Sequence, residues 1–362
     1  TLDQSRYAIR SDGTAIAAIT DGNGLTSLAT ASETTKLEWS AVHQLRVDGD
    51  DQVILLAADH STSPSIVKSS VQQEIIYGPK PHLLDVGYFE PPTLEQFPTF
   101  DGSHAYVRYY APAHPSMKGP SDRKPPLLVL AHGGPTGSAR NELSMALRYW
   151  TSRGWAIADV DYRGSTGYGR AFMNALDGEW GKVDVADCVA AARYLSEQGK
   201  ADSGKIAIKG GSAGGFTVLA ALAFYKDFSA GASRYGVADL EILARDTHKF
   251  ESRYLDRLIG EYPREKDIYT ERSPINHTEK FTSPMIILQG SEDAVVPPNQ
   301  AELVVAALKE NRIKHAYLLF EGEGHGFRDA QNIVAALEAE YSFFAQIFGF
   351  EPPDSIERIL IN

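Results

Sequence analysis

The chain has one cysteine, Cys188, in 362 residues, so no internal disulfide can hold it together. A reduced, cytoplasmic setting is the expected one. It has no apolar run of membrane-spanning length, which excludes a bundle of transmembrane helices. Positive charge is in short supply: 35 Lys and Arg against 47 Asp and Glu leave a formal net charge of −12. A phosphate backbone is bound by a basic surface, so nucleic acid is not an expected partner. No run of Cys, His and carboxylates has zinc-site spacing, and the glycine-rich loops lack the Lys-Ser/Thr pair of a phosphate loop. The expectation is a protein that works without metal or organic cofactor.

What the chain does have is glycine at strand ends. Residues 204–215, GKIAIKGGSAGG, form a short apolar strand that runs into a G-x-S-x-G turn with Ser212 at its tip. A strand that reverses at once into a helix strains its turn residue, and Gly210 and Gly214 remove the side chains that would block the bend. The Ser212 hydroxyl is then exposed at the carboxyl end of a sheet. The alanine-rich helix start from Phe216 directs its first N–H groups back at it. Downstream, residues 284–290 read as a buried strand followed by a loop with Glu292 and Asp293 as acid candidates. Residues 315–320 read as the next strand, followed by His325 between two glycines. Nucleophile, acid and histidine in that order, each after a strand, suit nucleophilic acyl transfer. Of ten histidines, His43, His60, His104 and His114 fall in polar loops or strand edges and are expected to be solvated, while His248 and His277 do not directly follow a strand. A third strand, 127–131, ends in HGGP at 132–135. In acyl-transfer enzymes such a loop gives one N–H to the developing oxyanion, and the residue after the nucleophile, here Ala213, gives the other.

Six stretches carry a family resemblance: HGGP at 132–135, DYRGSTGYGR at 161–170, WGKVDVAD at 180–187, GGSAGG at 210–215, RSPINH at 272–277 and GHGF at 324–327. In this order they resemble the prolyl oligopeptidase family of serine peptidases, most closely its acylaminoacyl-peptidase and aminopeptidase-like branch, over roughly residues 90–350. The resemblance implies a triad of Ser212, Asp293 and His325, and an oxyanion hole at Gly134 and Ala213. It also implies hydrolysis of short peptides near their amino end, and it favours Asp293 over Glu292. In several family members the residue two after the aspartate is an arginine or asparagine that holds a substrate carbonyl. Val295 stands there and its side chain can donate nothing. Val237, Leu240, Leu243 and Val296 are candidate walls of an apolar substrate pocket, with Val237 and Leu240 assigned to a strand and turn at 235–240. Tyr162, Arg163 and Tyr168 lie in a glycine-rich loop able to frame the site; the alternative for Arg163 is pairing with a carboxylate such as Asp187. The alternative on the same triad is a carboxylesterase-type hydrolase.

From residue 126 onward strand and helix alternate, which predicts an α/β-hydrolase fold with a mostly parallel sheet, its helices at about 139–153, 183–198, 213–226, 298–310 and 331–347. Residues 6–10, 14–20 and 26–31, then 42–48, 53–58 and 65–69, are short strands separated by Asp/Gly turns, the pattern of β-propeller blades. The expected division is a partial propeller of about two blades at 1–85 and a catalytic domain at 86–362. Two blades cannot close a ring. With a chain that starts at threonine, the expectation is that further blades exist elsewhere and associate with this chain. A second copy of the chain is a further candidate partner.

Overall fold

The structure is a computed structural model that describes residues 5–21, 25–69, 73–79, 84–246 and 253–362. His248 lies outside the described residues. The chain opens with two four-stranded antiparallel sheets, each following chain order. The first holds β1 (Tyr7–Ile9), β2 (Ala15–Thr20), β3 (Thr26–Ala29) and β4 (Thr34–Lys36). The second holds β5 (Ala41–Val47), β6 (Val53–Ala58), β7 (Ser65–Ser69) and β8 (Gln73–Tyr77). The fourth strand of each, β4 and β8, is absent from the sequence expectation. β4 is three exposed residues, and β8 pairs across a register shift, so neither shows a clean apolar alternation. Ile16, Leu28, Trp39, Leu45, Leu55 and Val67 make one core under both sheets.

The remainder is built on an eight-stranded sheet. Its strands are β9 (Thr93–Pro98), β10 (His104–Tyr110), β11 (Leu127–Ala131), β12 (Ala156–Asp161), β13 (Ile206–Gly211), β14 (Ala230–Arg234), β15 (Met285–Gly290) and β16 (His315–Phe320). Their order is β16-β15-β14-β13-β11-β12-β10-β9, and only the pairings made by β10 are antiparallel. Strands covered on both faces need apolar residues at every position, and β11 has them. Leu127 and Val129 enter the core beneath one set of helices, Leu128 the core beneath the other.

The helices are α1 (Met145–Thr151), α2 (Arg170–Asn174), α3 (Val183–Glu197), α4 (Ala213–Phe224), α5 (Leu240–Asp246), α6 (Tyr254–Leu258), α7 (Lys266–Arg272), α8 (Pro298–Glu310) and α9 (Ala330–Phe348). Residues of α3, α4 and α8 fill one core, those of α1 and α9 the other. Four of the five expected helices agree within two residues; the first is shorter. Ser144 caps α1 by accepting the Leu147 N–H at 3.3 Å, and the residues before it are extended toward the first sheets. The Asn141 carbonyl accepts from Ser40, and Glu142 lies 2.6 Å from His43. His43 is therefore a contact between the two parts of the chain rather than a solvated edge residue. His114 also has a partner, the Tyr88 hydroxyl at 3.1 Å. Among the described residues no helix is long and apolar enough to cross a membrane.

Candidate active site

The sheet order reverses between β11 and β13. The chain leaves β11 for β12 on one side, then returns to place β13 on the other, which opens a crevice at the strands' carboxyl ends. Both glycine-rich strand exits are thereby brought together. Ala131 is in register with Gly210, and a Cβ on Gly214 would lie 2.1 Å from the Ala131 carbonyl oxygen. One on Gly210 would lie 2.4 Å from the Gly214 oxygen. The two outer glycines of the motif are required by backbone packing against backbone. Between them Ser212 has φ +57° and ψ −122°, outside the comfortable regions for an L-residue. Its N–H donates to the Arg234 carbonyl at 3.0 Å, which ties the turn to β14.

The acid and histidine come from the exits of β15 and β16. His325 Nε2 lies 2.9 Å from Ser212 Oγ, and its Nδ1 lies 2.8 Å from Asp293 Oδ2. Asp293 Oδ1 accepts the N–H groups of Val295 and Val296, each at 2.9 Å. Burial pushes the Asp293 carboxyl up, but the hydrogen bond to His325 together with these N–H donors outweighs it and holds the group below its ordinary value. Glu292 is exposed, so the structure separates the two acid candidates. The loops hold each other: the Glu292 N–H donates to the Glu323 carbonyl at 2.9 Å. The Glu323 carboxylate in turn accepts from Arg328 N, Asp329 N and Asn332 Nδ2. Glu323 is thus the organiser of the histidine loop. Sequence reasoning passed over it, because a carboxylate two residues before a histidine carries no signal by itself.

A cavity of about 610 Å³ opens at Ser212, with Gly133, Gly134, Ala213 and His325 on its floor. As the first residue of α4, Ala213 has an N–H with no acceptor inside the helix. Val237, Leu243 and Val296 line the cavity, together with Trp180, Tyr254, Leu255 and Val295. Leu240 does not: it is fully buried, with its N–H bound to Ser273 Oγ at 2.9 Å. The strand expected at 235–240 is instead β14, ending at Arg234, and Tyr235 begins the exit loop with φ +38°. Tyr168 also lies off the cavity wall, because its hydroxyl donates to Asp161 at 2.7 Å and its ring stacks on Tyr106 at 4.0 Å. Arg163 pairs with Asp187 at 2.8 Å and with Asp101 at 2.5 Å, and Tyr162 lies beneath His132. Trp180 and Tyr254 reach the wall through loop and helix positions whose direction sequence spacing does not reveal.

Residues 141–351 match the prolyl oligopeptidase family. A stretch of 252 residues is 32% identical to dipeptidyl aminopeptidase BIII of Pseudoxanthomonas mexicana, covering 68% of this chain and 36% of that protein. Another of 208 residues is 33% identical to the acylamino-acid-releasing enzyme of Arabidopsis thaliana, covering 55% of this chain and 27% of that one. Among solved structures, a puromycin-hydrolyzing peptidase of Mycobacterium tuberculosis superposes with a TM-score of 0.93 at 37% identity, over 99% of this chain and 56% of that one. The chain therefore spans about a third of the curated relatives it matches.

Proposed function

The chain belongs to the prolyl oligopeptidase family, and from that premise we propose that it carries the catalytic part of a serine peptidase that cleaves short peptides near their amino end. The observation that carries this reading is the unbroken hydrogen-bonded series Asp293–His325–Ser212 at the mouth of an apolar cavity. In this reading residues 86–362 are an α/β-hydrolase domain. Residues 1–85 are two propeller blades, each of the four-stranded sheets supplying one. Blades outside this chain complete the ring, and the single cysteine fits a cytoplasmic setting.

His325 Nε2 takes the Ser212 proton as Oγ attacks the substrate carbonyl carbon, and Asp293 stabilises the resulting imidazolium. The N–H groups of Gly134 and Ala213 hold the oxyanion. Collapse of the tetrahedral intermediate breaks the C–N bond, and the His325 proton leaves with the amine. Water, deprotonated by His325, then releases the acyl group and restores Ser212. The cavity walls of Trp180, Val237, Leu243 and Val296 favour an apolar side chain on the residue whose carbonyl is attacked.

Matched chromogenic amides of an apolar amino acid, with a free or an acetylated amino terminus, test the proposal. Puromycin, on which the Mycobacterium tuberculosis relative acts by its name, is included. Turnover of the free-amine set makes this an aminopeptidase, turnover of the acetylated set an acylaminoacyl peptidase. Ser212→Ala is expected to lower kcat by roughly 10⁶-fold in either case. Cleavage of esters but of no amide would overturn the peptidase reading and leave an esterase.

A further inference from the structure

Tyr235 lines the catalytic cavity, yet the triad, the oxyanion hole and the apolar wall leave it without a role. It is the first residue after β14 and holds φ +38°, a left-handed value unfavourable for a bulky aromatic residue. Its N–H is fixed by the Leu288 carbonyl at 2.7 Å, and the Arg234 carbonyl just before it takes the Ser212 N–H at 3.0 Å. Glycine would adopt this backbone without strain. A tyrosine held here, one residue from the anchor of the nucleophile turn, points to a use for its side chain.

That side chain lies against Ser212 and His325. A Cβ on Gly211 would stand 2.8 Å from Tyr235 Cε2 and 3.2 Å from both Cζ and the hydroxyl oxygen. The hydroxyl end of the ring, rather than its base, therefore fills the space beside the residue that precedes Ser212. The ring meets His325 edge-on at 5.0 Å between centroids and Phe327 at 5.4 Å. Among the described residues the hydroxyl has no hydrogen-bond partner, and it is not sealed from solvent. Burial pushes the phenol above its ordinary pKa, opposed by Arg234, so at neutral pH it is a donor with nothing to donate to.

In the reaction described above, His325 Nε2 protonates the departing amine, so the departing half of the substrate lies on the histidine side of Ser212. Tyr235 is the cavity residue whose ring packs on that histidine, whereas the acyl side chain goes to Trp180, Val237, Leu243 and Val296. We propose that Tyr235 forms the leaving-group subsite, its hydroxyl donating to the first carbonyl beyond the cleaved bond. The inference rests on the peptidase reading. It makes the favoured leaving group an amino-acid amide or peptide amine, which carries such a carbonyl, over an amine that lacks one.

The test compares two substrates with the same apolar acyl residue, one releasing glycinamide and the other p-nitroaniline, in wild type and Tyr235→Phe. Phenylalanine keeps the ring against His325 and Phe327 and removes only the hydroxyl. The expected result is that the kcat/KM ratio of the glycinamide substrate to the anilide falls about three- to tenfold, the effect of one hydrogen bond between neutral groups. The midpoint of the pH dependence of kcat/KM stays where it is. An unchanged ratio overturns the subsite. Equal losses on both substrates with a shifted midpoint also overturn it, and make Tyr235 a support for His325 instead. If the wild type cuts esters but neither amide, the peptidase reading fails and the subsite is tested separately. An apolar amino-acid ester then acylates Ser212, and glycinamide competes with water for the acyl-enzyme from the leaving group's place. Tyr235→Phe is expected to lower the ratio of amide to acid product by the same factor, and an equal ratio overturns the subsite. A wild type inactive on amides and esters alike overturns both.

Discussion

Asp293 is bound on both oxygens, and the arrangement dictates which proton His325 carries. Oδ1 faces two N–H donors and Oδ2 faces His325 Nδ1. In Asp293→Asn the amide oxygen stays with the two N–H groups, so the amide NH₂ faces Nδ1. That forces the proton onto Nε2, which then cannot accept from Ser212. The expected outcome is a fall in kcat of about 10⁴-fold with little change in KM, measured in steady-state kinetics on a chromogenic amide. A loss confined to KM would contradict this role. His132 gives a second prediction at this scale. Burial lowers its pKa from 6.5 to about 4, opposed by the Gly133 carbonyl. The ring is partly exposed by area, but its nitrogens face Ser165 at 2.7 Å and the Tyr162 hydroxyl at 3.1 Å. Because the folded value lies below the unfolded one, the unfolded chain takes up this proton first as pH falls. Stability is therefore lost from about pH 6.5 down to about pH 4. In His132→Gln that part of the pH dependence is expected to flatten, as read by urea denaturation across the range.

At the scale of elements, the nucleophile turn depends on how closely α4 approaches β11. The contact leaves no room for a methyl group on Gly214, whose neighbour is the Ala131 carbonyl, a backbone atom unable to rotate away. Gly214→Ala should destabilise the fold by about 3 kcal/mol or more, since strain here cannot be relieved by a side-chain rotation. Thermal melting and labelling of Ser212 by a fluorophosphonate measure it. A variant with wild-type Tm and full labelling would show that the contact is looser than described. Beneath the same turn, Glu340 of α9 binds Lys209 of β13 at 2.5 Å and Arg234 of β14 at 2.5 Å. One buried carboxylate thus fixes the last helix to the two strands that carry the elbow and its anchor. Burial lowers Lys209 to about 8, assisted by Arg234 and opposed by Glu340.

At the scale of the whole molecule, the small sheets and the large one are joined through α1. Arg148 donates to the Glu90 carbonyl at 2.8 Å and to the His60 carbonyl at 2.9 Å, and its guanidinium stands 5.4 Å from the Tyr110 ring centroid. One buried side chain therefore holds the loop after β6, the segment before β9 and the large sheet at once. Arg148→Ala removes two charge-assisted hydrogen bonds between separate segments, a loss of about 3 kcal/mol. It is expected to expose the segment before β9 to limited proteolysis while Ser212 labelling persists. Equal protease resistance in variant and wild type would mean that the sheets are held by other contacts.

The alternation of strand and helix, the Ser–Asp–His order and the glycines at three strand exits were legible in the chain, because each is a local pattern with a local physical cause. A strained turn needs glycine, a strand buried on both faces needs an apolar run, and a loop nucleophile needs a strand before it. Short strands without alternation, such as β4 and β8, left no such trace. Other features are set by packing between distant segments. Asp293 is favoured over Glu292 only through the family resemblance; the physical reason, that the loop turns Asp293 inward and leaves Glu292 exposed, lies in the packing. Trp180 joins the cavity wall while Leu240 enters the core and Tyr168 turns to Asp161. Spacing along a chain fixes which residues share an element, whereas the direction of a loop side chain is decided by what the rest of the molecule packs against it.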